Sequence, residues 1–278
     1  MDIHTELQQL IELAYAEDGD KDITSDAVCA ADDEREAIIT AKQDGVVCGI
    51  DFFKDIVKPI DEGLVFEPFL DKGMDVKERM MIGAVTGKVS SLLRIERVFL
   101  NFLSRLSGIA THTKKFVDEL EGTNVMVLDT RKTVPGWRFL DKYAVTVGGG
   151  INHRMGLHDV ALLKDTHVDY CGGVLKAIQQ FRAKDAESHL IVEVRNLAEL
   201  SEAITESKSF TRLLLDNFSI EDLRKAVEIS AGKVVLEASG GITLENVREV
   251  AETGIHFVSV GALTHSSAGF DYSLQISQ

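Results

Sequence analysis

Three short stretches hold the side chains best suited to chemistry. Arg131 and Lys132 follow the run VMVLD. His153 and Arg154 follow three consecutive glycines in VGGGINHRMG. Lys164 closes the run VALLK. Between Asp129 and Asp165 the chain places six Lys and Arg against four Asp, and adds His153 and His158, while the whole chain carries a formal charge of -15 from 30 Lys+Arg and 45 Asp+Glu. An acidic protein that gathers cations around a glycine run is suited to a small ligand with several negative charges. Arginine matches a carboxylate through two parallel N–H···O bonds. Each such charge-assisted bond contributes roughly 1.5–3 kcal/mol when sheltered. Lys164 could be an anion ligand or a Schiff-base amine, since cationic neighbours suit both roles; an ion pair with Asp165 is its structural alternative.

Acids and glycines complete the set. Glu193 and Asp216 each close an apolar run, where a carboxylate can bind ribose hydroxyls, hold Mg²⁺ or stabilise a developing positive charge. A strand-end acid can equally cap a helix or form a turn. In SGGITLENV, Ser239, Gly240 and Gly241 follow a run and Thr243 is placed to cap the next helix. VGALTHSS repeats the arrangement with Gly261, Thr264, His265 and Ser266. Glycines admit close approach of backbone N–H groups, and a helix N-terminus favours an anion, so the pair reads as a phosphate cradle.

These residues need a scaffold that brings separate loops together. From Val125 onward, six apolar runs rich in β-branched residues (VMVLD, VALLKD, LIVEV, RLLLDN, VVLEAS, FVSVG) alternate with amphipathic helical segments. Such alternation predicts a parallel sheet with right-handed crossovers, buried on both faces. Six strands are fewer than the eight of a full barrel, and either an incomplete barrel or an open doubly wound sheet satisfies the pattern. In both, the C-terminal strand ends meet at one face, where ligands bind. Nearly every run finishes in a polar residue or glycine there.

The first part of the chain reads differently. Ile3, Leu7, Leu10, Ile11 and Ala14 predict a helix capped by Asp2. EAIITAK, GVVCGI, LVFEPFL and MMIGAVTGKV read as strands. Leu92, Glu96, Phe99, Leu103, Leu106 and Ala110 share one face of a long helix, which Gly108 is expected to bend or interrupt.

Composition narrows the function further. A net charge of -15 excludes non-specific nucleic-acid binding, which needs a basic face. The N-terminus lacks the basic and apolar regions of a secretory signal, and no apolar run is long enough to span a bilayer. Cys29, Cys48 and Cys171 suggest neither a disulfide framework nor a zinc knuckle, and point to a reducing cytoplasm. GxGxxG and GxxxxGK[ST] are both absent.

The motifs together resemble the quinolinate phosphoribosyltransferase family. The resemblance rests on DTRKTVPGWRFLDKYAVTVGGGINHRMGLHDVALLKDTH, ERVFLNFLSRLSGIATHT, IVEVRNLAEL, LLLDNFS, LEASGGI and VSVGALTHS, in order, and on EDGDKDITSD nearer the N-terminus. It implies an α/β fold of two domains. One is an N-terminal α/β sandwich, residues 1–110, rejoined by the tail 267–278. The other is an incomplete, about six-stranded α/β barrel, residues 111–266. It implies quinolinate and phosphoribosyl pyrophosphate as substrates, Mg²⁺ as cofactor, and nicotinate mononucleotide, pyrophosphate and CO₂ as products.

By motif position, Arg131, Lys132, His153, Arg154 and Lys164 would surround quinolinate, and Arg97 would reach it across a homodimer interface. Glu193 and Asp216 would serve the ribose and a metal held largely through substrate and water. Ser239, Gly240, Gly241, Gly261 and His265 would face phosphate. Lys132, Lys164, Glu193 and Asp216 would carry the catalysis. Three departures stand out: Thr166 where the family commonly has Asn, Arg195 where it commonly has an acid, and a shortened EDGDKDITS. Two rival functions keep the scaffold: a paralogue acting on a different acid, and a Schiff-base lyase using Lys164.

Overall fold

The structure is a computed structural model describing residues 2–277. It divides into two compact units. One comprises residues 1–114, 133–149 and 263–278; the other comprises residues 115–132 and 150–262. No disulfide joins the three cysteines. Among the described residues, no helix is long and apolar enough to cross a membrane.

The first unit is built on four antiparallel strands: β1 (Glu34–Ala41), β3 (Val65–Pro68), β5 (Met81–Lys88) and β12 (Tyr272–Ile276). They lie in the order β12-β1-β5-β3. Two short strands, β2 (Gly45–Val46) and β4 (Asp75–Val76), pair separately. The tail therefore returns to the sheet as an edge strand. The helix Ile3–Asp18 forms as its periodicity requires: Leu7, Leu10 and Ile11 are buried, and Asp2 accepts the Thr5 N–H at 2.9 Å. The helix Val89–Glu119 buries Leu92, Phe99, Leu103, Leu106 and Ala110. Phe99 meets Phe53 edge-on, 5.0 Å between ring centres.

Gly108 does not interrupt this helix, which runs unbroken from Val89 to Glu119. A methyl group there would run into the Ala268 carbonyl. Gly108 is a point of close chain approach, and its lack of a side chain serves packing.

The segment after Lys132 enters the first unit as the helix Arg138–Val147. Its N-cap residue, Trp137, makes no side-chain capping bond. The buried carboxylate of Glu6 does so instead, accepting N–H groups from Phe139 at 3.1 Å and Leu140 at 2.9 Å. Arg105 then grips buried Asp141 through two bonds of 2.8 and 2.7 Å, and Asp141 also accepts the Val134 N–H.

The second unit is a six-stranded parallel sheet: β6 (Met126–Leu128), β7 (Ala161–Leu163), β8 (Leu190–Val194), β9 (Arg212–Asp216), β10 (Leu236–Ser239) and β11 (Phe257–Ser259). Their order is β6-β11-β10-β9-β8-β7. Each strand coincides with one of the six apolar runs. The sheet follows the barrel pattern of parallel neighbours but stops short of closure: β6 and β7 are its two edges. Helices follow the strands, and their caps are revealing. Asn196 caps the helix Leu197–Ile204 and Ser219 caps the helix Ile220–Ser230. Glu193 and Asp216 are thus relieved of the capping role that strand-end acids often have. Thr243 does not cap a helix either. The next helix starts only at Val247, and Asn246 closes the intervening turn by accepting the Thr243 N–H and donating to the Gly241 carbonyl.

The Glu6 contact can be tested by unfolding. Glu6→Ala strands two N–H groups at a helix start, one buried and one part-buried, and should destabilise the protein by about 1–2 kcal/mol. Glu6→Gln keeps one acceptor and should lose less. An unchanged urea midpoint in Glu6→Ala would show that Arg105 and Asp141 hold the segment unaided.

Candidate active site

Register brings the strand ends together. Ser239 of β10 lies level with Asp216 of β9 on one side and Ser259 of β11 on the other. Lys164 and Glu193 each come one residue after the β7–β8 pair Leu163–Val192. A cavity of about 500 Å³ opens at this end, within the range of small-ligand sites. Its wall carries the cations Arg131, Lys132, Arg154 and Lys164 and the acids Asp165, Glu193, Asp216 and Glu237. Thr130, His153, Ser239 and Ser259 supply further polar groups, over a floor that includes Leu162 and Leu214.

The cationic side is held in tension. Arg154 is nearly buried, and its Nη1 donates to the Val160 carbonyl at 3.1 Å. Burial pushes its guanidinium below the ordinary arginine range, and the positive charge of Arg131 pushes it further; Asp159 only partly opposes them. Nε of Arg131 is buried with no hydrogen-bond partner. A guanidinium weakened by burial and by its neighbour, beside one carrying an unsatisfied donor, forms a site for an anion.

The loop carrying Arg154 is tied at several points. Buried Asp129 accepts the His153 N–H at 2.8 Å, His153 Nδ1 accepts the Arg154 N–H at 2.7 Å, and Asp159 accepts N–H groups from Met155 and Gly156. Gly148, within the glycine run, is required for another reason: a side chain there would strike the Ala110 carbonyl and Thr113.

The acidic side behaves differently. Burial raises the Glu193 carboxyl above its ordinary value, the Asp165 N–H draws it back, and the negative charges of Asp216 and Asp165 raise it again. Carboxylates that repel one another at strand ends are suited to a divalent cation. Among the described residues, however, no three His, Cys, Asp or Glu side chains form a metal cage. Glu193 and Asp216 fit Mg²⁺ in its usual manner, with one or two protein carboxylates and a shell completed by water and phosphate oxygens.

The cavity wall includes eight of the residues singled out from the sequence: Arg131, Lys132, His153, Arg154, Lys164, Glu193, Asp216 and Ser239. Gly240, Gly241, Gly261 and His265 are not part of it. Gly240 and Gly241 follow Ser239 with φ of +91° and +63°, and the Asn217 side chain leaves no room for a Cβ on Gly240. His265 ends the short helix Ala262–His265, exposed, with its Nδ1 2.6 Å from the Ser266 hydroxyl. Arg97 is an exposed residue of the helix Val89–Glu119. Thr166 is exposed and donates its N–H to Asp165; Arg195 is engaged by Glu199 and Asp169. The sequence pointed to Glu237 only as a strand-end residue and to Asp165 only as an ion-pair partner for Lys164, gave neither a role in the site, and missed Thr130 and Ser259. The signal for Glu237 was present: a charged residue inside the buried run VVLEAS.

A parallel α/β barrel with a cationic and an acidic wall at its C-terminal strand ends belongs to the class of enzymes that act on small polyanions there. Comparison with known proteins narrows the class. The patterns "Quinolinate phosphoribosyl transferase, N-terminal domain" and "Quinolinate phosphoribosyl transferase, C-terminal domain" match residues 22–107 and 109–275. Quinolinate phosphoribosyltransferase (decarboxylating) 1b of Nicotiana tabacum is 40% identical over 290 residues, covering 98% of this chain and 82% of the relative. The probable nicotinate-nucleotide pyrophosphorylase (carboxylating) of Bacillus subtilis is 36% identical, covering 98% and 94%. The solved nicotinate-nucleotide pyrophosphorylase of Francisella tularensis superposes with a TM-score of 0.93 at 38% identity, covering 98% and 96%. The chain belongs to the quinolinate phosphoribosyltransferase family.

The electrostatics of the acidic wall give a direct test. A raised carboxyl binds its proton more tightly, so Glu193 should remain partly protonated above the ordinary glutamate value of 4.5. Asp216→Asn removes a neighbouring negative charge and should lower the Glu193 midpoint in a ¹³C-carboxyl NMR titration. A midpoint that stays put would mean that the two side chains do not sense each other.

Proposed function

We infer that this protein transfers the phosphoribosyl group of phosphoribosyl pyrophosphate to quinolinate with loss of CO₂, forming nicotinate mononucleotide and pyrophosphate in NAD synthesis. The observation that carries the reading is the pairing of Arg131 with nearly buried Arg154, a cationic concentration relieved by a ligand bearing two carboxylates. Family membership identifies that ligand's chemistry.

The residues act first by placement. Arg131, Lys132, Arg154 and Lys164 offset the repulsion between two anionic substrates and bring the pyridine nitrogen to the anomeric carbon, which is catalysis by positioning. The nitrogen lone pair forms the new N–C bond, and the bond to pyrophosphate breaks with its electrons leaving on oxygen. No general base is needed, because the nucleophile carries no proton to remove. The sugar carbon gains positive charge during the transfer, and Glu193 and Asp216 favour it, as carboxylates do in glycoside chemistry. Glu193 and Asp216 would also hold Mg²⁺, which when bound supplies charge neutralisation at the departing pyrophosphate. Alkylation makes the ring nitrogen positive. The adjacent carboxylate can then leave as CO₂, its bonding electrons remaining on the ring carbon, which takes a proton from water.

Ser239, Gly240, Gly241, Gly261 and His265 face phosphate in this reading, supported by their motif positions. The working unit is a homodimer in which Arg97 of the partner subunit reaches quinolinate; its support is the ERVFLNF motif and the exposure of Arg97. Unpaired cysteines support a cytoplasmic setting.

The reaction is tested by measuring pyrophosphate and ¹⁴CO₂ together from carboxyl-labelled quinolinate, with and without Mg²⁺. Equal amounts of both products are expected, with turnover lost on chelation. Arg131→Ala or Arg154→Ala should weaken quinolinate binding by about tenfold or more, one charge-assisted bond's worth, and phosphoribosyl pyrophosphate binding far less. Equal weakening of both substrates would remove the assigned pocket.

A further inference from the structure

Asp216 closes β9, and the residue after it adopts a backbone conformation that few side chains accept. Asn217 has a φ of +55°. Asparagine tolerates this left-handed region better than most residues, and glycine adopts it most readily. A turn alone would therefore be served by glycine. The contacts of Asn217 give it a further part.

Three of its groups are engaged. The backbone N–H donates to the Ser239 carbonyl at 2.8 Å, just past the level pair Asp216 and Ser239 of β9 and β10. The side-chain nitrogen Nδ2 donates to Asp216 Oδ2 at 2.8 Å. The side-chain oxygen lies against Gly240, where an added Cβ would collide with it. An ionised carboxylate only accepts, so the amide must turn its nitrogen to Asp216 and its oxygen to Gly240. Asp216 and Ser239 line the cavity, whereas Asn217 is exposed and stands outside its wall. A side chain anchored at the cavity edge without lining it acts through what it holds.

We propose that Asn217 is a positioning residue: its amide holds the Asp216 carboxylate in one orientation, and its seat beside Gly240 ties that orientation to the Ser239–Gly240 turn. The acid and the turn are then set as one piece before phosphoribosyl pyrophosphate arrives. The proposal rests on the reading above that Asp216 serves the ribose and pyrophosphate end of that substrate. It also accounts for Gly240, since any larger residue would displace the amide. The competing role for Asn217 is only to turn the chain after β9.

Asn217→Gly separates the two roles, because glycine keeps the turn and loses the amide. Each substrate is titrated alone by calorimetry. If Asn217 orients Asp216, the variant should bind phosphoribosyl pyrophosphate about tenfold more weakly or worse, the usual scale for losing a partner that orients a ligating carboxylate. Quinolinate affinity should change by less than about twofold, as expected for a distant site. The melting midpoint should change little. Added to Asp216→Ala, Asn217→Gly should weaken phosphoribosyl pyrophosphate binding by no more than about a further twofold, since both residues act in one chain. Wild-type affinity for phosphoribosyl pyrophosphate in Asn217→Gly would overturn the proposal. Losses that multiply in the double variant would do the same, because Asn217 would then contact the substrate itself. So would a lowered midpoint with both substrates weakened alike, which would leave Asn217 a folding residue.

A second measurement needs no variant. Asp216 and Asn217 form the one Asp–Asn pair of neighbours in the chain. Protein carrying ¹³C-carbonyl Asp and ¹⁵N-Asn therefore identifies the Asn217 resonances directly. In the ligand-free wild-type protein its side-chain amide should be as ordered as the backbone of β9, read from ¹⁵N relaxation. An amide that turns freely would defeat the proposal. Wild-type protein that releases no pyrophosphate with quinolinate would sink the parent reading, and the amide measurement would still report on the bond between Asn217 and Asp216.

Discussion

The repulsion between Arg131 and Arg154 is the constraint on which the site depends. Like charges gathered in a partly buried site repel, so side chains free to move would separate. Here they cannot. Arg154 is nearly buried and bonded to Val160, and its loop is tied to Asp129 and His153. Folding supplies the energy that keeps the cations together, and an entering dicarboxylate recovers it. A pocket of this kind is formed before the ligand arrives, which reduces the ordering that binding must otherwise impose.

The same requirement explains why the barrel interior departs from an apolar filling. Layers of branched aliphatic side chains are usual inside such barrels. In this protein Leu162 and Leu214 keep that character, while Glu237, Arg212 and Ser259 form a polar cluster among them. An isolated buried carboxylate would be strongly unfavourable. Glu237 is tolerated because a guanidinium, a hydroxyl and an imidazole surround it. A stable fold alone would be served as well by apolar residues of similar volume.

Much of this was legible from the sequence, for physical reasons. Each apolar run became a strand because a strand buried on both faces must be continuously apolar. The polar residue closing each run then had to lie at the ligand-binding end, which located Lys164, Glu193, Asp216 and Ser239. What escaped depends on which distant residue faces which. Glu237, Arg212, Ser259 and His153 lie on different elements, and only strand register brings them together. Gly108 read as a helix breaker because its neighbour, the Ala268 carbonyl, comes from the far end of the chain. Thr243 looked like a cap because a short polar residue after glycines usually is one, whereas Asn246 had the longer reach needed to close that turn. Glu6 capping a helix that starts at Arg138 is the same lesson: a helix end needs an acceptor, but tertiary structure decides from where.

Two glutamates of the same cavity show how the site divides its labour. Glu193 is partly exposed, yet burial and the charges of Asp216 and Asp165 raise its carboxyl despite the Asp165 N–H. Glu237 is wholly buried, and burial alone would raise it more, but His153, Arg212 and Ser259 together lower it below the ordinary glutamate range. The depth of burial therefore does not set the outcome; the partners do. The charge of Glu237 is answered within the architecture by Arg212, Ser259 and His153. Glu193 is an acid among acids, and Lys164 compensates it only in part. Its electrostatic environment changes as soon as positive charge enters the cavity, whether carried by a metal or developing on a sugar. Opposed shifts on β8 and β10, with β9 between them, thus distinguish a group whose charge is met inside the protein from one that responds to what binds.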